Sequence, residues 1–396
     1  MIEVFVDIKY TCYNTEVMKK NILIKTLLIG SILTGCSSTT TEQETSTVSD
    51  SYSNTSLTEV FDTVFSFKEY STNTELSKSH FKTSENLLQK YTQLFDIYND
   101  YDGINNLKTI NDNAGIQPVE VDQVIIDLLD EAKKFYDYSD GEFDITMGSL
   151  LKVWHTYRED GIEKNDNGEL GDVPSEDELT EAASHSGWDK IEIDRENKTV
   201  YITDKNVSLD VGGIAKGYAA ELTASTMVDT GMTCGILNVG RNIRLIGTKD
   251  SNWTVGIADP DGDPDGKYAN GLVVLSLDQE ESIVTSGDYE RYYKASDGNI
   301  YPHIVDPSTM YPARYYRSVS IVTKDSGAAD CLSTSLFTMS IEEGKKLLET
   351  YSKESGNECD AVWIVESDKT QGNEGKQVGD YTVIYTEGLE DNIVWN

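Results

Sequence analysis

Four short stretches of this sequence gather side chains suited to holding an anion, a cation or a proton. The first, GEFDITMG at 141–148, sets Asp144 two residues before Thr146 between glycines. A carboxylate and a hydroxyl so spaced can hydrogen-bond a heterocycle or a ribose, or can cap backbone groups. The second, DVGGIAKGY at 210–218, falls at an expected strand-to-helix junction. Gly212 and Gly213 permit close backbone approach to a ligand, and the free N–H groups of a starting helix favour an anion. Lys216 sits in that helix's first turn, against the dipole, where a phosphate ligand would offset the cost. The glycine spacing and Ser/Thr of a P-loop are missing, and a tight turn with a solvated lysine is the alternative.

The third stretch, SGDYER at 286–291, is followed after a turn by YPHIVDP at 301–307. Of the four histidines, His80, His155, His185 and His303, only His303 sits between prolines at a strand end among other polar groups. An imidazole is the natural proton acceptor near neutral pH. The fourth stretch, ADCLST at 329–334, starts a predicted helix. Asp330 and Thr334 lie four apart and project from one helix face. Carboxylate plus hydroxyl is hard-oxygen chemistry that suits Mg²⁺ rather than zinc or copper. With 69 Asp and Glu in the chain, such a pair selects nothing by itself.

The elements that must position these groups read as follows. A strand over 60–67 precedes a helix carrying Leu87, Leu88, Tyr91, Leu94, Phe95 and Tyr98 on its apolar face. A second helix spans 121–138 and ends at the Ser139-Asp140-Gly141 turn. Residues 159–172 read as a charged loop, and Ser175 with Glu178 as a capping box opening the next helix. Residues 198–203 and 207–211 alternate like a hairpin, and a helix follows over 213–229. Short strands are expected at 235–239, 253–258, 272–277, 289–294, 300–305 and 318–322, with Asp297-Gly298-Asn299 turning between two of them. Helices return at 328–339 and 341–352, and strands at 361–366 and 381–385. This is an α+β pattern: a single large domain with a mostly antiparallel sheet and flanking helices, without regular βαβ alternation.

Composition narrows the function classes. A formal net charge of -36 excludes nucleic acid as a partner and opposes docking on anionic lipid by charge. An acidic chain that handles an anion must concentrate positive charge locally, through a metal ion or a few placed basic residues. The five cysteines show no C-x-x-C spacing. Cys36 is distinctive: Met18 opens a segment with Lys19, Lys20 and Lys25, then an apolar run to Leu33, then Thr34-Gly35-Cys36. That is a secretory signal too short to span a bilayer, ending like a bacterial lipobox. Residues 1–35 are therefore expected to be an upstream extension plus signal, with Met18 as the start. Residues 36–56 are expected to be a lipidated Cys36 with a disordered Ser/Thr-rich tether, and 57–396 the catalytic domain. The expected location is the extracytoplasmic face of a bacterial membrane, held by lipid alone.

In order and separation, the strings GEFDIT, DVGGIAKGYA, LNVGRN, TSGDYERYY, HIVDPSTMYPA and ADCLST resemble the ApbE family of FAD:protein FMN transferases, over residues 60–385. The resemblance implies a T-fold-related domain that splits FAD with Mg²⁺, joins FMN through a phosphoester to Thr or Ser of an extracytoplasmic target protein, and releases AMP. It implies Asp330 and Thr334 side chains and the Gly213 carbonyl as Mg²⁺ ligands, and Lys216 at the FAD diphosphate. Phe61, Phe143, Asp144 and Asp210 would line the FAD site, with His303 at the reaction centre as the base. Lipid anchoring is common in that family. The chain departs from the family pattern at Gly240-Arg241, usually two glycines, and at Pro302-His303, usually two histidines. Two other readings stay open. An FAD pyrophosphatase would use the same groups to give FMN and AMP, and a non-catalytic FAD-binding lipoprotein would retain FAD and make no AMP.

Overall fold

A computed structural model describes residues 52–262, 267–268 and 270–395. The signal segment, Cys36 and most of the Ser/Thr-rich stretch lie outside the described residues. Among the described residues no helix is long and apolar enough to cross a membrane.

Nine strands form the central sheet: β1 (Tyr52–Val60), β2 (Thr63–Glu69), β3 (Gly235–Val239), β4 (Asn242–Ile246), β5 (Ser282–Gly287), β6 (Ser318–Thr323), β7 (Cys359–Glu366), β8 (Lys376–Val378) and β9 (Tyr381–Tyr385). Their spatial order, β1-β2-β3-β4-β5-β6-β7-β9-β8, almost follows the chain, and every pairing is antiparallel. Successive side chains face opposite sides of a sheet, and here both sides are covered. Leu237, Val284, Ile321 and Trp363 enter the larger core beneath the helices. Their neighbours Ile236, Ile283, Val322 and Val362 enter a second core under the small sheet of Trp253–Ile257, Val273–Leu277 and Ile393–Val394. Double burial explains why these strands read as unbroken apolar runs.

Among the described residues eight α-helices follow as α1 (Thr74–Phe95), α2 (Leu107–Asp112), α3 (Gln123–Tyr138), α4 (Gly148–Asp166), α5 (Glu176–Ala183), α6 (Ala215–Asp229), α7 (Ser326–Thr338) and α8 (Ile341–Ser355). Helix α7 is buried along nearly its whole length and packs beside α6 on the central sheet. The close approach rests on Gly217: a Cβ there would lie 2.2 Å from the Ser326 carbonyl oxygen and 2.6 Å from Asp330 Cβ.

Three expectations are corrected. Strand β1 begins at Tyr52, so residues 52–55, assigned to the tether, pair with β2 from Tyr52 opposite Glu69 to Thr55 opposite Ser66. The hairpin expected from 198–211 does not form; Thr199–Ile202 pairs with Ile191–Asp194 and with Val119–Glu120. Most of the expected 159–172 loop is helix, because α4 continues to Asp166. Tertiary contact overrides the weak local propensity there: Gly161 sits against the Tyr293 ring, and Lys164 bridges Asp160 and Asp172 at 2.7 Å each.

Candidate active site

Backbone hydrogen bonds bring the first two sequence clusters together. Asp210 N donates to Ile145 O at 2.8 Å and Gly148 N to Ser208 O at 3.0 Å, so the 143–148 and 207–213 segments run side by side. Each segment carries a carboxylate turned onto its own backbone. Asp144 Oδ1 accepts from Thr146 N and Oγ1 at 2.8 and 2.7 Å, and Asp210 Oδ1 accepts from Gly212 N at 2.8 Å. Burial raises both carboxyl pKa values, against these hydrogen bonds and, for Asp210, against His155 and Arg158.

The second cluster then meets the fourth. Helix α6 starts without a side-chain cap of its own. Its Gly217 amide instead donates to Asp330 Oδ2 on α7 at 2.8 Å. Lys216 Nζ lies 3.6 Å from the same oxygen and donates to Gly212 O at 3.4 Å. Gly213 faces Thr334 and Phe143: a Cβ there would stand 3.1 Å from Thr334 Oγ1 and 3.0 Å from Phe143 Cε2. Thr92, Thr223, Thr226 and Ser335 turn their hydroxyls onto the carbonyl four residues back. Among the described residues Thr334 Oγ1 makes no such bond and is left facing Gly213. Asp330 is only 3% exposed. No group of three or more His, Cys, Asp or Glu among the described residues could hold a metal. A cation at this point would therefore rest on one carboxylate, a hydroxyl and carbonyl oxygen, a donor set that fits Mg²⁺.

The third cluster divides. Ser286 Oγ on β5 bonds Ser333 Oγ on α7 at 2.9 Å, tying the sheet to the Asp330 turn. Asp288 is buried against Arg314 and Arg317 at 3.1 and 2.9 Å and is structural. Arg241 occupies the second position of the two-residue turn between β3 and β4, at φ +73° after Gly240 at +55°. Its guanidinium bonds Tyr289 Oη at 2.8 Å and Glu290 at 2.7 Å.

His303 follows the hairpin of Tyr292–Lys294 and Ile300–Pro302, in which Tyr292 pairs with Pro302. Continuing that register sets Arg291 opposite His303. The Nδ1 atom of His303 is buried with no hydrogen-bond partner. Burial, then the charges of Arg291, Arg158 and Lys216, lowers its pKa to about 3, while the Arg291 backbone acts in the opposite sense. The ring is thus neutral, and its basicity would rise once an anionic ligand offsets Arg291, Arg158 and Lys216. Lys216 links the two halves of the site, being close to Asp330 and among the charges felt by His303. Phe61, at φ +51° in the β1–β2 turn, donates its amide to Thr92 Oγ1 and stacks on Phe95, whose ring in turn meets Tyr218 of α6. Sequence reasoning missed Arg158 and His155. His155 was weighed only as one of the four histidines, and no helix was expected around Trp154 that would set Arg158 against the hairpin.

A mixed α+β domain with an antiparallel sheet, an anion-compatible helix start and a hard-oxygen cluster defines the class of this protein. Residues 61–359 match the model of the ApbE family, and the chain belongs to that family. It is 30% identical over 285 residues to the FAD:protein FMN transferase of Treponema pallidum, covering 68% of this chain and 73% of that one. To the FAD:protein FMN transferase of Klebsiella pneumoniae it is 27% identical, covering 72% and 83%. Among solved structures, the ApbE protein of Thermotoga maritima superposes with a TM-score of 0.69 at 28% identity, over 87% of this chain and 99% of the other.

Proposed function

We propose that this protein is a Mg²⁺-dependent flavin transferase that splits FAD and joins FMN to a Thr or Ser hydroxyl of another protein, releasing AMP. The observation that carries this reading is the convergence of Asp330, Thr334 and Gly213 beside Lys216, in a chain whose family relatives are FAD:protein FMN transferases.

The Asp330 carboxylate, Thr334 hydroxyl and Gly213 carbonyl would hold the ion, which would supply positive charge to offset the substrate diphosphate. Lys216 adds a fixed positive charge beside it. Phe61, Phe143, Asp144 and Asp210 line the flavin side. The acceptor hydroxyl gives its proton to neutral His303 as its oxygen bonds to the FMN-side phosphorus. The P–O bond to the AMP side breaks, and AMP leaves with the bridging oxygen. Positioning and electrostatics supply most of the acceleration, as in other phosphoryl transfers. Treating the protein with a chelator should abolish covalent flavin on an acceptor, and Mg²⁺ should restore it. Transfer that persists after chelation contradicts the metal assignment.

The enzyme works outside the cytoplasm, anchored by lipid on Cys36. The lysine-rich, short apolar segment ending in Leu33-Thr34-Gly35-Cys36 supports this reading. Cys36→Ala should move the protein from the membrane fraction to the soluble one, and unchanged partition would refute the anchor.

A further inference from the structure

Helix α4 lies along the hairpin that carries Arg291 and His303, and its contacts fix which face meets it. Trp154 packs on Tyr301 at a ring separation of 5.0 Å, and Gly161 sits directly on the Tyr293 ring. Tyr293 and Tyr301 are themselves a cross-strand pair. Arg158 is four residues after Trp154 and three before Gly161, so it projects from the same face between those two contacts.

The surroundings of this arginine are unusual for a structural one. Its side chain is only 11% exposed. Its Nη2 donates to His155 Nδ1 at 2.7 Å. A guanidinium cannot accept, so His155 is neutral with its proton on Nε2. The Tyr98 ring lies tilted against the imidazole, 5.4 Å between ring centroids. Among the described residues the one carboxylate within 4.0 Å is that of Glu159, at 3.7 Å and 61% exposed. Arg291 is exposed and forms no ion pair among the described residues. A chain with net charge -36 has carboxylates to spare, yet Arg158 has only the exposed Glu159 within 4.0 Å, with Asp210 acting on it by charge, and Arg291 has none in that range among the described residues. Buried charge is retained where it is paired or awaits a counter-charge.

We propose that Arg158, oriented by His155, forms with Arg291 a second anion-holding arm that grips the substrate's diphosphate from the His303 side, opposite Lys216. This rests on the flavin-transferase reading and makes Arg158 a substrate-binding residue that selects phosphorylated flavins, with His155 positioning it. A planar guanidinium held by a neutral acceptor keeps its remaining donors for a phosphate.

The test is equilibrium binding of FAD and of riboflavin to the full chain, read by flavin fluorescence, for wild type, Arg158→Gln and Arg158→Lys. Wild type should bind FAD more tightly than riboflavin. Arg158→Gln should weaken FAD by roughly tenfold to a hundredfold, the worth of a charged hydrogen bond, while riboflavin binding stays put and Arg158→Lys recovers part of the loss. An unchanged preference for FAD in Arg158→Gln overturns the arm but leaves the transferase standing. Equal weakening of FAD and riboflavin overturns it too, by making Arg158 structural. A wild type that binds neither flavin overturns the transferase reading and this one together.

Discussion

The Asp330 carboxylate on α7 caps the start of α6, accepting the Gly217 amide at 2.8 Å while almost entirely buried. One group thus closes a helix end, anchors two helices together and presents an oxygen beside Thr334 and Gly213. Its removal should show on two readouts. Asp330→Ala leaves an uncapped amide, which costs about 1 kcal/mol by analogy with other lost caps. Loss of a metal ligand should exceed the effect of losing a supporting residue, so the Mg²⁺ requirement should rise by about 100-fold or more. Titration of transfer rate against Mg²⁺ checks this, and indifference to the substitution would remove Asp330 from the site.

Two glycines separate packing from chemistry. Gly217→Ala would force a methyl within 2.2 Å of Ser326 O, and overpacking of this kind costs about 1–3 kcal/mol. Gly213→Ala meets Thr334 and Phe143 at 3.0–3.2 Å, a milder clash directed at the proposed ligands. Denaturant melts should show the larger stability loss for Gly217→Ala. Transfer assays on folded protein should show the larger activity loss for Gly213→Ala.

His303 gives a pH prediction whose sign follows from its lowered pKa of about 3. The unfolded chain binds a proton there near pH 6.5 while the folded one does not, so the folded state binds fewer protons in between. The stability linked to this site is present above pH 6.5 and lost as pH falls towards 3. Melts of His303→Asn should be less sensitive to acid over that window. Substrate phosphates would offset Arg291, Arg158 and Lys216, so the acid limb of kcat should lie at higher pH than that of kcat/KM. Coincident limbs would contradict this coupling.

Asp288 tests the opposite assignment. It lies in the same SGDYER string as the residues leading to His303, but it pairs Arg314 and Arg317. Asp288→Ala should destabilise by about 1.5–3 kcal/mol through the lost charged hydrogen bonds, Arg317 keeping Asp261 and Arg314 keeping Glu366. Folded protein should keep its FAD affinity, as read by fluorescence titration.

Central strands were readable at 235–239 and 318–322, but β5 (Ser282–Gly287) was missed although Ile283 and Val284 enter both cores, its second half being polar. Strand β4 was missed because Asn242 and Arg244 interrupt it; both are buried, and Arg244 is neutralised by Glu221 at 2.9 Å. Asp330 and Thr334 were legible as a helical pair, yet only family resemblance singled them out among so many acids. The contact that supports the choice, Gly217 with Asp330, spans 113 residues and leaves no local signal. Arg158 stayed hidden for the same reason: its meaning depends on where α4 rests against the 292–302 hairpin.

The central claim is tested most directly by incubating the purified protein with FAD, Mg²⁺ and an extracytoplasmic FMN-binding domain, then reading intact acceptor mass and AMP together. The account predicts that the acceptor gains the mass of FMN less one water, with one AMP released per modified chain. AMP without a mass gain, or neither product, would contradict it.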